Sequence, residues 1–358
     1  MSNGNFKWHR TEAAQALGIP ETAQEWDRLN LERGDLPFMS AAALANALEV
    51  FGSGNETLFT ARLDGGAAAM FILAPDGLLR WTTFQPSQVP LGAWVAASRF
   101  DLTDLAQSLI DGPLGACMAL SITQIDPLYA IPGHASERLA ISEYIHTGWV
   151  DVSGTFEDYW AERGKNLRQN MRKQRNKLAT EGTSTEMREL RSVDDIAPAL
   201  ARYGELESSG WKAGQGTAIH YDNPQGRFYL KLFQDAAMRG EAVIYEYLFD
   251  DRTVAMNLGL VRNGQLIVLK TAYDESVKTF SPASLLREEE LQTMFANGDI
   301  RRIEYYGRLM EWHTKLTENK RTLYHLTVYR WGWVKQLAAR RRVSAAQRSL
   351  SLQQETAT

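Results

Sequence analysis

A single cysteine, Cys117, stands among 358 residues. An internal disulfide is therefore impossible, and so is a zinc site built from cysteines. The six histidines, at 9, 134, 146, 220, 313 and 325, follow no HExxH-type spacing, so no metal is expected. There is no GKS or GKT phosphate loop and no G-x-S-x-G elbow, which disfavours nucleotide hydrolysis and serine hydrolysis. The longest apolar stretch, "AAAMFILAP", is too short to cross a bilayer, and the opening "MSNGNFKWHR" has no apolar signal region. A cytoplasmic location without a membrane span is the expectation. The net charge of -4 means that the molecule as a whole is no electrostatic binder of nucleic acid, and any basic surface is local.

The composition, 44% hydrophobic and 23% charged, suits a soluble chain large enough for two domains. Cys117 lies in the apolar stretch "GACMALSI" and reads as core packing. Residues 37–51 read as a helix capped by Ser40 and ended by Gly52, followed by two strands around Asp64-Gly65-Gly66. Residues 227–258 repeat that order, with a helix ending at Gly240 and a turn at Asp250-Asp251. "RWTTFQPSQVPLGAWVAAS" and "VLKTAYDESVKTFSPASLL" then each run strand, polar loop, proline, helix, roughly 190 residues apart. Two copies of one unit follow: an α/β fold with mixed sheets and helices on both faces. The expected organisation is an N-terminal extension over 1–24, a first unit over 25–150, a second over 151–337 and a basic, disordered tail over 338–358.

Residues 162–182, "ERGKNLRQNMRKQRNKLATEG", carry seven basic side chains with no acid between Glu162 and Glu181. Arg168, Arg172 and Arg175 fall at i, i+4, i+7 and share one helical face. Like charges so placed repel, and arginine forks fit phosphate or carboxylate, so this face is a candidate for an anionic substrate. A solvated helix paired with acids elsewhere is the alternative. Trp211 and Lys212, in the glycine-containing stretch "SSGWKAGQGTAIHYD", are candidates for acceptor binding.

The stretch "KTAYDESVKTFSPASLLREEELQTMFANG" leads from a strand through a polar connection into a long helix. Ser281 is placed as N-cap and Pro282 as first helical residue, with Ala283, Ser284 and Leu285 presenting amides to a negative group. Asp274, Glu304 and His313 are the candidate bases for deprotonating an amine, and Tyr305 or Tyr306 the candidate acid. Strand alternation sets Tyr305 on the face opposite Glu304 and Tyr306, so the three cannot all enter one cleft. Turn formation, surface ion pairing and core packing are the other roles open to these residues.

The order of elements, together with "WK…G", "AYDE", "SPASLL", "YYGR" and "LYHLTVYR", resembles the GNAT acyltransferase superfamily, and within it the two-unit FemAB-like and cellulose-biosynthesis-associated (CelD/BcsL-type) branch. The resemblance covers roughly residues 25–335. It implies tandem GNAT-like units and a strand pair that splays to receive the pantetheine arm of acyl-CoA, such as acetyl-CoA, in the second unit. Tyr273, Ser281, Pro282, Ala283, Ser284 and Leu285 would then face the donor, and an amine, on a sugar or a cell-envelope precursor, would accept the acyl group. Relatives carry an aromatic-lysine pair after the fifth strand, which corresponds here to Trp312 with His313 or with Lys315. The glycine-rich CoA signature is missing, and Pro282-Ala283 stands where relatives show proline-glycine. Two alternatives remain open: an aminoacyl-tRNA-dependent transferase of the FemAB kind, the one reading with a nucleic-acid partner, and a non-catalytic binding protein on the same fold.

Overall fold

Asp64 and Gly65 both sit at positive φ, 53° and 87°, which a two-residue hairpin turn of matching twist requires. They join β2 (Thr57–Leu63) to β3 (Gly66–Pro75). Asp250, at φ 52°, stands at the corresponding turn between β9 (Ala242–Phe249) and β10 (Arg252–Arg262). The computed structural model describes residues 6–131, 133–209, 219–220 and 222–341.

Each half repeats one order. The first has β1 (Lys7–Glu12), α1 (Ala13–Leu17), α2 (Pro20–Glu32) and α3 (Ala41–Phe51) ahead of its hairpin. After it come β4 (Arg80–Thr83), the short β5 (Trp94–Ala96), α4 (Leu102–Asp111), β6 (Ala119–Ile125) and β7 (Leu139–Asp151). The second opens with α5 (Phe156–Glu162), α6 (Lys165–Thr180), β8 (Thr185–Leu190), α7 (Val193–Ser209) and α8 (Pro224–Met238). Beyond its hairpin lie β11 (Gln265–Tyr273), α9 (Pro282–Asn297), β12 (Arg302–Tyr305), α10 (Glu311–Leu316) and β13 (Lys320–Tyr329). Residues 7–12, in the stretch set down as an extension, pair antiparallel with β2 as an edge strand.

The thirteen strands among the described residues form one sheet, ordered β1-β2-β3-β4-β6-β13-β7-β12-β11-β10-β9-β8, with β5 paired to β3. The order is palindromic, and its centre is crossed: β13 lies beside β6, and β7 lies beside β12. Each half therefore receives its last strand from the other. The duplication is legible in the sequence, whereas the exchange is not, because the apolar pattern of a strand says which face is buried and not which neighbour it takes.

Helices cover both faces. On one face α1, α2, α3, α7 and α8 pack into a shared core that includes Trp26, Leu44, Tyr203 and Phe233. Asn46 of α3 donates to the carbonyl of Phe228 in α8 at 2.9 Å, and the rings of Phe51 and Phe228 lie 5.2 Å apart, so this layer ties the halves together. On the other face α4 buries Leu102, Leu105, Ala106, Leu109 and Ile110, the apolar stripe of an amphipathic helix, against the first half. There α5, α6 and α9 cover the second half. Cys117 is buried, its thiol donating to the carbonyl of Ala119, and burial pushes its pKa up. Residues 332–341 form a C-terminal helix. No helix among the described residues is long and apolar enough to cross a membrane.

Candidate functional site

Leu258 of β10 faces Lys270 of β11, and Gly259 faces Val268, so Leu269 is an extra residue in its strand. Such a bulge bends the strand that carries it. On its other side β11 runs parallel to β12 only from Gln265 opposite Arg302 to Val268 opposite Tyr305. Beyond that point no backbone hydrogen bond among the described residues joins 269–273 to β12 or to the segment after it. The ladder between the two strands ends at the bulge, and on that side the backbone of 269–273 has no strand partner among the described residues.

The first half closes the equivalent place. β4 pairs with β6 as far as Thr82 opposite Ser121, after which the hydroxyls of Thr83 and Thr123 meet at 2.7 Å. The amide of Gly92 then donates to the carbonyl of Thr123 at 3.2 Å, and β5 follows along β3. A Cβ on Gly92 would stand 2.5 Å from that carbonyl oxygen, so only glycine permits the approach. An open gap thus exists in the second half and a bridged one in the first.

Past the gap, Asp274 accepts from the amide of Ser276 at 2.8 Å and from Arg252, and so caps the 3-10 turn Glu275–Phe280. Both carboxylate oxygens are thereby used. Tyr273 projects to the exposed surface at the strand end. Ser281 occupies the N-cap position of α9, but its φ of 54° is left-handed and its hydroxyl caps no amide. The expected side-chain cap is absent at this left-handed position, and Asn170 of α6 donates to the hydroxyl at 3.4 Å. Pro282 has no N–H, and the amides of Ser284 and Leu285 turn back to the carbonyl of Ser281. Of the three amides expected to face an anion, those of Ser284 and Leu285 are therefore spent and only that of Ala283 has no partner among the described residues; no side chain caps the first turn of α9, so an anion there meets one amide and the helix's positive end.

Helix α6 runs beside this end. Its inward side chains are Met171, Gln174 and Leu178. Arg175 is drawn into a fork with Glu288 at 2.7 Å and Glu289 at 2.8 Å on α9, which separates it from the face it shares in sequence with Arg168 and Arg172. Lys177 lies 4.0 Å over the ring of Phe280. Lys165, Arg168, Arg172 and Lys173 are exposed, and none has an acidic partner among the described residues. Trp211 and Lys212 fall outside the described residues.

The gap has two sides. On the α9 side Tyr305 meets the rings of Trp312 at 5.3 Å and His313 at 4.9 Å, and Arg287 stacks 3.7 Å over Trp312. His313 accepts the amide of Met310 at Nδ1, 2.8 Å away, and burial beside Arg287 brings its pKa down to about 4. A neutral ring accepting at Nδ1 carries its proton on Nε2 and can only donate there. Lys315 points to solvent and pairs with Glu311. Glu290, on the same side, receives the amide of Asn257 at 2.7 Å, and burial pushes its pKa up to about 8.

On the opposite side, Glu304 and Tyr306 meet a buried charge network. Arg321 donates to both oxygens of Asp126, at 2.6 to 2.9 Å, and to Glu304 at 2.8 Å. Burial raises the pKa of Glu304, and its Oε1 has no hydrogen-bond partner. Tyr306 is buried and protonated well beyond its usual range, with its hydroxyl 3.4 Å from that of Tyr129. The four candidate catalytic residues are therefore not convergent: Glu304 and Tyr306 share a face, His313 lies across the sheet, and Asp274 caps a turn. The network and the pair Arg287 and Glu290 are invisible to motif reading. The one sequence signal is that Glu290 falls between Leu286 and Met294 in an otherwise apolar i, i+4, i+8 stripe.

Residues 165–314 match the family model described as an acetyltransferase (GNAT) domain. No curated protein matches the chain. Among solved structures the fold is similar to a conserved protein of Bacteroides thetaiotaomicron, at 14% identity over 91% of this chain and 99% of the other, TM-score 0.55. It is also similar to FemX, at 8% identity over 92% and 99%, TM-score 0.54. A third is the C-terminal domain of an Agrobacterium fabrum protein assigned as a lysylphosphatidylglycerol synthetase, at 15% identity over 90% and 94%, TM-score 0.53. These likenesses show the fold.

Proposed function

We propose that the second half, whose residues 165–314 match a model of an acetyltransferase (GNAT) domain, transfers an acyl group from acyl-CoA to an amine-bearing small molecule. The observation that carries this is the end of the ladder between β11 and β12 after Val268 and Tyr305, beside a helix end that no side chain caps. An extended thioester arm finds unpaired backbone groups in the gap, and its phosphates find the start of α9 with Lys177 alongside.

Of the three carboxylate and imidazole candidates for base, Asp274 has both oxygens engaged and His313 has its acceptor nitrogen occupied. Glu304 has an Oε1 that accepts no hydrogen bond, with the Arg302 guanidinium 3.6 Å away, and burial raises its pKa, which suits a base. In this reading the amine loses a proton to Glu304 and attacks the thioester carbonyl. The C–S bond breaks as the amide forms, and Tyr306 supplies a proton to the departing thiolate. Arg321, fixed by Asp126, positions Glu304 and lies 5.5 Å from the ring of Tyr306.

Lys165, Arg168, Arg172 and Lys173, exposed without acidic partners, favour a second reading in which the donor is an aminoacyl-tRNA. Thiol release from acetyl-CoA with a panel of amines tests the first reading. Ser284→Trp, at the start of α9, should abolish release while the fold is retained. Unchanged release in this variant would mean that the donor does not use this helix end.

A further inference from the structure

Leu79, the last residue of the turn between β3 and β4, has a φ of 59°, a left-handed value that glycine or asparagine ordinarily takes, and Leu78 before it is 90% exposed. The carbonyl of Leu79 accepts the amide of Met118 at 2.7 Å, and the carbonyl of Met118 accepts the amide of Arg330 at 3.0 Å. The turn, the start of β6 and the end of β13 therefore meet at one end of the sheet. There Trp331 and Trp333 stand 46% and 57% exposed, with their rings stacked 5.8 Å apart. Trp333, Leu337 and Arg341 follow at i, i+4, i+8 in the C-terminal helix, all exposed, so one face of that helix continues the patch. Lys335 turns the other way and donates to the carbonyls of Ser136 and Leu139, at 2.6 and 2.8 Å, which fixes the helix against the sheet. Scattered exposed apolar side chains are ordinary, whereas a contiguous group of them marks a contact surface.

Positive charge surrounds this patch. From Arg330 to Gln354 the sequence holds six lysines and arginines and no acid, in a chain whose net charge is -4. Arg330 and Lys335 donate to backbone carbonyls, and neither has a carboxylate partner among the described residues. Of the acids nearby, Asp76 and Asp111 pair with Arg80 and Arg138, at 3.1 and 2.5 Å, and Glu137 lies against Gly332. A second copy docked patch to patch would set this charge against itself. An anionic bilayer surface suits both parts of the pattern, because indoles and leucines enter the headgroup boundary while basic side chains meet the lipid phosphates. We propose that this end of the molecule is a peripheral membrane-binding surface for anionic lipid, formed by Leu78, Leu79, Trp331, Trp333 and Leu337 with Arg341 beside them. It stands whatever the gap between β11 and β12 binds.

Flotation of the full chain with lipid vesicles tests this. Phosphatidylcholine vesicles carrying about 30% phosphatidylserine should bind it at about 50 mM salt, and pure phosphatidylcholine, or about 0.5 M salt, should lower the binding at least about tenfold. Trp331→Ser combined with Trp333→Ser should lower it about as much, since the apolar anchors are lost while the charge is kept. Should that variant fail to fold, Leu78→Asp, at the most exposed position of the patch, should lower binding likewise. The proposal is overturned by no binding at about 1 mM anionic lipid, by equal binding to neutral vesicles, or by binding that survives in these variants. Binding that is lost instead in Arg168→Glu with Arg172→Glu would place the lipid contact on α6 and overturn it too. So would an oligomer that the tryptophan variant dissolves, found without vesicle binding, because the patch would then belong to a second copy.

Discussion

Glu304 and Arg321 meet at 2.8 Å, with the Glu304 side chain fully buried and the Arg321 side chain 7% exposed. They stand on successive strands, β12 and β13, that are not neighbours in the sheet, because β7 runs between them. The pair spans the crossed centre of the fold. Asp126, just past β6, completes it, and Arg302 stands 3.6 Å from the other oxygen of Glu304, so Arg321 bridges two buried carboxylates of which one has a second cation. The bonds to Asp126 and the nearby Glu304 hold Arg321 charged against the opposing effect of its burial. Arg321→Met leaves Asp126 buried without a cation and Glu304 with Arg302 alone, and should cost about 3 to 5 kcal/mol. A urea midpoint lowered at unchanged slope is the expected result. A cost within the range of a surface substitution would show that the network contributes little to the joining of the halves.

Glu290 makes stability depend on pH in a defined direction. Its folded pKa, about 8, is raised above the ordinary carboxylate value of 4.5, so the unfolded chain releases this proton first as pH rises. The protonated carboxyl contributes stability fully below about pH 4.5 and loses it progressively up to about pH 8. Glu290→Gln keeps the acceptor for Asn257 and removes the titration. It should match the wild type near pH 4 and exceed it by about 3 kcal/mol at pH 7, on about 1.4 kcal/mol per unit. Parallel urea titrations at the two pH values check this, and a difference that does not grow with pH would contradict it.

The exposed face of α6 distinguishes the two donors. Arg168→Glu combined with Arg172→Glu should weaken a tRNA by far more than the tenfold that corresponds to about 1.4 kcal/mol, with a shallower salt dependence. Acetyl-CoA, bound at the start of α9 beside Lys177, should change less. Filter binding at two salt concentrations for the tRNA, and calorimetry for acetyl-CoA, separate the cases.

Gly92 tests why the first half is bridged. An alanine there would meet the Thr123 carbonyl and the Thr83 hydroxyl at 2.5 and 2.7 Å, and the first of these is backbone that cannot turn away. Gly92→Ala should destabilise by about 1 to 3 kcal/mol, as overpacking of a filled site does. An unchanged midpoint would mean that β5 is free to move.

Much of this fold is written in local signals. The paired hairpins announce themselves through Asp64-Gly65 and Asp250, whereas the helix expected directly after Pro90 is the short strand β5, and α4 starts only at Leu102. Alternation along β12 correctly parts Tyr305 from Glu304 and Tyr306, since that depends on the strand alone. What the sequence could not disclose depends on partners far along the chain. Ser281 has the residue type of a cap, but Asn170, 111 positions earlier, takes its hydroxyl. Arg175 shares a helical face with Arg168 and Arg172, yet Glu288 and Glu289 draw it inward.

Calorimetric titration of acetyl-CoA into the full chain tests the central claim most directly. Saturable heat that disappears in Ser284→Trp, with desulfo-CoA binding alike because the sulfur is not the anchor, is the predicted result. Absence of heat at about 1 mM ligand, a concentration that fills any site stronger than about -4 kcal/mol, would contradict an acyl-CoA donor in the gap between β11 and β12.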